Sequence, residues 1–98
     1  MTDVCDEGIA LAGLLEEYLL EEVPINFDAV KQMRDAQHNL ESRSISAIDD
    51  AVMHIEAVAH RLRTKARVAK SDSYDDVLRL LERVQAWEKR VTEAEELN

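Results

Sequence analysis

The chain has 98 residues, 46% of them apolar and 34% charged, and a net charge of −9. That length allows one domain with one modest core, and the composition excludes a disordered chain, which would hold fewer aliphatic residues. Two glycines, one proline and one cysteine exclude an intramolecular disulfide framework and leave little turn chemistry beyond a few helix junctions.

The charge is unevenly placed. Residues 1–30 hold eight acids (Asp3, Asp6, Glu7, Glu16, Glu17, Glu21, Glu22, Asp28) and no base, whereas residues 61–70 hold five bases and no acid. The overall acidity disfavours direct nucleic-acid binding. A first helix lying near the basic stretch would let the two compensate. No basic region followed by an apolar one marks a signal peptide, and Glu16 and Glu17 interrupt the longest apolar cluster, so the expectation is a soluble cytoplasmic protein without a membrane segment.

A first helix is expected over about 4–23. Asp3 stands as its N-cap, and Asp6 and Glu7 face the positive end of the helix dipole. Leu11, Leu14, Leu15, Tyr18 and Leu19 form its apolar face, widened by Ile9, Leu20 and Val23. Gly8 and Gly13 weaken it or admit a close neighbour. Pro24 ends it.

A second helix is expected over about 27–42, capped by Asn26, with a weaker stripe of Phe27, Val30, Met33, Gln37 and Leu40. Ser42, Ser44 and Ser46 then offer a break, because serine hydroxyls compete for backbone hydrogen bonds. Ser46 with Asp49 has capping-box spacing. The pattern leaves two readings open: a break here, or one helix over 27–69 of about 65 Å at 1.5 Å per residue.

The third helix, about 46–70, repeats Ile48, Val52, Ile55, Ala59, Leu62 and Ala66 in alternating steps of four and three, a heptad seam. Ser71–Ser73 forms a turn, and Ser73 with Asp76 again has capping-box spacing. The fourth helix, about 73–96, carries Val77, Leu80, Val84, Trp87 and Val91 at the same period. No segment alternates with period two, so strands are not expected.

These patterns specify an all-α protein: a three- or four-helix antiparallel bundle or helical hairpin with a heptad-like seam. The length of the two seams in so short a chain further predicts a homodimer.

No catalytic group stands out, and no metal or cofactor is expected. Asp50 with His54 and Glu56 with His60 have the i,i+4 spacing of facing pairs, but His54 and His60, six residues apart, fall on opposite sides of the helix. Cys5 sits among acids with no base to activate it and reads as a small apolar residue. The segment His60-Arg61-Leu62-Arg63-Thr64-Lys65-Ala66 resembles the phosphoacceptor motif of histidine phosphotransfer domains. Leu62 and Ala66 match, Arg63 replaces the lysine, and Thr64 replaces the glycine. That resemblance implies a four-helix bundle in which His60 receives and passes on a phosphoryl group and Arg63 steadies its charge.

The leading expectation is a non-enzymatic interaction protein: an adaptor, a chaperone-like binder or a small inhibitor. Its partner would be a protein with a basic, possibly nucleic-acid-binding, surface. Asp3, Asp6, Glu7, Glu16, Glu17, Glu21 and Glu22, or Asp72, Asp75 and Asp76, would meet that partner. The alternatives are phosphorelay through His60 and a purely structural homo-oligomer.

Overall fold

The computed structural model describes residues 2–22, 24–68 and 74–97. Four helices follow one another: α1 (Thr2–Leu20), α2 (Phe27–Glu41), α3 (Ile45–Val68) and α4 (Tyr74–Leu97). No strand occurs among the described residues.

The helix ends follow local chemistry. α1 begins at Thr2, so Asp3 lies in its first turn and is not the cap the sequence suggested. α1 stops at Leu20, short of the expected end at Val23, which lies outside the described residues. A proline ring clashes with the carbonyl four residues before it, and for Pro24 that carbonyl belongs to Leu20. The chain instead tapers through tighter bonds, with Glu21 N–H donating to Tyr18 at 3.2 Å and Glu22 N–H to Leu19 at 3.3 Å. Asn26 caps α2 as expected, its side chain accepting from Ala29 N–H at 3.1 Å.

The serine-rich stretch is a real break, so 27–68 forms two helices. Ser42 Oγ donates to the Asn39 carbonyl at 2.8 Å. Arg43 then takes a left-handed φ of 57°, the conformation that commonly terminates a helix. Ser44, and not Ser46, caps α3: its Oγ accepts from Ala47 N–H at 3.3 Å. The turn at Ser71–Ser73 and the proposed cap at Ser73 lie outside the described residues.

The helices pack as a bundle with principal extents of 42 × 22 × 16 Å. α1 packs on α2, α2 on α3, α3 on α4, and α4 returns to α1. Along the α1–α2 seam residue numbers rise on one helix as they fall on the other: Asp6 meets Arg43, and Glu16 meets Arg34.

The core draws on all four helices. On α3 it takes Ile48, Ile55, Ala59 and Leu62 from the heptad seam and adds Ala51 and Val58, while Val52 is only partly buried. On α4 it takes Val77, Val84, Trp87 and Val91 and adds Leu81, with Leu80 partly buried. A helix that touches two neighbours buries a wider arc than a two-helix seam. The side chain of Ala66 is outside the described residues.

Trp87 fastens α4 to α1. Its indole N–H donates to the Val4 carbonyl at 2.8 Å, which satisfies the one polar atom of a ring only 3% exposed. Gly8 makes room for that ring. A Cβ on Gly8 would stand 2.6 Å from Trp87 Cζ2 and 2.7 Å from Leu40 Cδ1. A Cβ on Gly13 would meet only Gln37 Oε1, at 3.9 Å.

Candidate functional site

Among the described residues no polar or charged residue is fully buried, and no helix is long and apolar enough to cross a membrane. Candidate chemistry therefore lies in the grooves between helices and on the surface.

A groove runs between α2 and α3. One part is lined by Asp28, Lys31, Gln32, Asp35, Val52, Met53, Glu56, Ala57, His60 and Arg61. Its continuation is lined by Asp35, His38, Asn39, Asp50, Met53, His54 and Ala57. Asp35, Met53 and Ala57 belong to both, which makes the groove continuous. Met53 is 71% exposed despite its mid-helix position, so this apolar side chain is unused by the core.

The groove gathers His38, His54 and His60. The sequence reading put His54 and His60 on opposite sides of α3, and that is corrected here. Six residues turn a helix by about 600°, which leaves the two only about 120° apart with Ala57 between them. Four carboxylates (Asp28, Asp35, Asp50, Glu56) and two cations (Lys31, Arg61) complete the lining. Among the described residues, no three His, Cys, Asp or Glu side chains converge as metal ligands would.

His60 is exposed on α3. The hydroxyl of Thr64 donates to the His60 carbonyl at 3.1 Å. Arg63, the residue in place of the motif's lysine, is engaged elsewhere: its Nη1 donates to Glu56 Oε1 at 2.9 Å. Cys5 is fully buried in the core, as a small apolar residue would be.

The acids proposed for partner binding are dispersed, and several meet bases of their own chain. Asp6 accepts from Arg43 at 2.8 Å, Glu16 from Arg34 at 3.3 Å and from Gln37 at 2.9 Å, Glu7 from Arg90, and Glu22 from Lys65. Only the last of these bases comes from the basic stretch 61–70. Among the described residues the compensation expected between that stretch and the first helix rests on this one pair, and the other bases come from α2, the α2–α3 turn and α4. Glu17, Glu21, Asp75 and Asp76 are exposed. The side chain of Asp3, and all of Asp72, lie outside the described residues.

The α3–α4 seam carries a feature the sequence reading missed. Glu56 of α3 and Glu88 of α4 lie within hydrogen-bonding reach of each other, and Asp49 and Glu95 form a second carboxyl pair. Contact with Glu88 and the Arg63 guanidinium hold Glu56 below the usual glutamate value. Burial and the neighbouring Glu56 push Glu88 up to about 7. Contact with Asp49 raises Glu95. The available signal was positional: Asp49, Glu56 and Arg63 each follow a seam residue of α3 by one, and Glu88 and Glu95 follow Trp87 and Ala94. Such flanking positions meet across paired helices.

Comparison with known proteins gave no matching family model, no matching curated protein and no matching solved structure.

Proposed function

We propose that this chain is a non-catalytic helical interaction module that binds a basic segment of another protein along the α2–α3 groove. The observation that carries the proposal is the groove's make-up. Val52, Met53 and Ala57 supply apolar contact, and with Glu56 taken up by Arg63 the three carboxylates Asp28, Asp35 and Asp50 outnumber the two cations Lys31 and Arg61. The acids in and just after α1 are weaker candidates, because Asp6, Glu7, Glu16 and Glu22 are engaged within the chain. Charge complementarity of this kind speeds encounter and makes it salt-sensitive.

The test is affinity capture from a lysate of the source organism, with the wild type beside Met53→Asp and Asp35→Lys. A basic protein held by the wild type, lost from both variants and released at about 0.5 M salt, where charges more than about 4 Å apart are screened, is the expected result. Capture that survives both substitutions and the salt overturns the groove as the binding surface.

One observation favours a second reading, phosphorelay: His60 is exposed beside the groove. Incubation with a small phosphoryl donor should then label His60 with an acid-labile phosphoryl group, and the label should vanish in His60→Gln. An unlabelled wild type, also inert towards response-regulator proteins, excludes it. The structural homo-oligomer has no comparable support. Ile48, Ile55, Ala59, Leu62, Val77, Val84, Trp87 and Val91 are already packed in one chain's core, so a second copy would have to use other residues. A homodimer formed through other surfaces remains part of the proposal, and its mass at micromolar concentration by sedimentation tests it.

A further inference from the structure

The carboxyl groups of Glu56 and Glu88 face each other across the α3–α4 seam. Glu56 Oε1 is satisfied by Arg63 at 2.9 Å. Glu56 Oε2 and Glu88 Oε1 are both buried, and neither has a hydrogen-bond donor. An ionised carboxylate only accepts. Two ionised groups here would set like charges together and leave two buried acceptors unmet, an arrangement that native proteins avoid.

A single proton resolves both problems. Held on Glu88, it turns one acceptor into an O–H donor directed at Glu56. Arg63 decides which partner stays anionic, because it touches Glu56. We propose that Glu56 and Glu88 share one proton, and that this proton is a pH-sensitive clasp holding α4 against α3. When solution base removes it, both residues become carboxylates and the seam is left with facing charges. Asp49 and Glu95, one heptad along each helix, add a second acid pair to the same seam.

The surrounding charges fit this assignment. From α3, Arg63 and His60 both favour the anionic form of Glu56. From α2, neutral Gln32 and the charged Asp28, Lys31 and Asp35 share the groove that Glu56 borders. From α1, Glu7 is engaged by Arg90 of α4.

The elevation of Glu88 to about 7, from an ordinary 4.5, sets the sign. The folded state binds this proton more tightly than the unfolded chain. Its contribution to stability is complete below about 4.5 and is lost as pH rises through about 7. Glu56, held low, acts in the opposite sense in acid solution, so the pair is most stabilising under mildly acid conditions.

The test combines a carboxyl-carbon NMR titration of the full chain with thermal unfolding between about pH 5.5 and 8.5, a range spanning the raised value. Glu88 should titrate near 7, and the wild-type Tm should fall across the range. In Glu88→Gln the amide donates to Glu56 without a titratable proton. The decline in Tm should flatten, and the variant should outlast the wild type at the alkaline end. His60→Gln should keep the wild-type slope, which separates the clasp from the neighbouring histidine. Should Glu88→Gln not fold, Glu56→Gln gives an independent reading, because the Glu88 midpoint should move down once its anionic neighbour is gone. A wild-type Glu88 midpoint in the ordinary glutamate range, equal slopes in wild type and Glu88→Gln, or a Glu88 midpoint unmoved by Glu56→Gln would each overturn the proposal.

Discussion

Helix α4 is held from two sides by opposite chemistry. Against α1 the contact is closely packed and hydrogen-bonded: the Trp87 ring lies in the space left by Gly8, and its N–H is bonded to the Val4 carbonyl. Against α3 the contact includes two facing pairs of acids, Glu56 with Glu88 and Asp49 with Glu95. The first attachment rests mainly on shape, with one exposed ion pair, Glu7 with Arg90, at its edge. The second depends on a proton. One helix can thus be anchored on one flank and conditional on the other, because packing and ionisation respond to different variables.

The comparison breaks most directly at Trp87. Trp87→Ala should cost roughly 3–5 kcal/mol in urea unfolding, the range for removing a large buried aromatic side chain. A cost below about 1 kcal/mol would mean that α4 is not anchored there. The two glycines of α1 give the next largest effect, and with opposite signs. Gly8→Ala should destabilise by about 1–3 kcal/mol, because the new methyl group overlaps the indole. Gly13→Ala should stabilise by up to about 1 kcal/mol, because only helix propensity changes there. Equal signs would refute the close approach of Trp87.

The α3 side is sharpened by hydrogen exchange at mildly acid and alkaline pH, after correction for the intrinsic pH dependence of exchange. Protection of α4 amides should fall at alkaline pH in the wild type and fall less in Glu88→Gln, while α1 amides change least. The smallest effect belongs to the surface ion pairs. Glu16→Ala, which removes the partner of an exposed Arg34, should cost less than about 1 kcal/mol. A larger loss would mean that this pair works as part of a network with Gln37.

Much of the fold was legible because helix signals are local. Asn26, Pro24 and the serine cluster act within a few residues of themselves, and the three-and-four spacing on α3 and α4 marked most of their buried side chains. Gly8 was read as admitting a close neighbour and Cys5 as a small apolar residue, but Ala12 and Ala51 were missed for a physical reason: they pack where a second neighbour comes close, and a one-seam pattern records only the first neighbour. Ser46 was preferred to Ser44 as a cap because its spacing to Asp49 imitates a capping box, yet the left-handed turn at Arg43 brings Ser44 to the helix start. The Glu56–Glu88 pair joins positions 32 residues apart in the sequence, and no local rule announces that two acids will share a seam. Heptad-flanking positions on α3 and α4 hinted at it. The groove histidines were visible only as isolated residues until α2 and α3 were set side by side.

Trp87 is the chain's only tryptophan, and it is sealed between α1 and α4. The protein therefore carries its own optical probe at the attachment built on packing. A red-shifted, quenchable emission reports α4 leaving α1. A loosening confined to the α3 side leaves the indole in its dry setting and the spectrum blue. Fluorescence and the stability profile together can tell partial release of α4 from loss of the whole bundle, with no label attached.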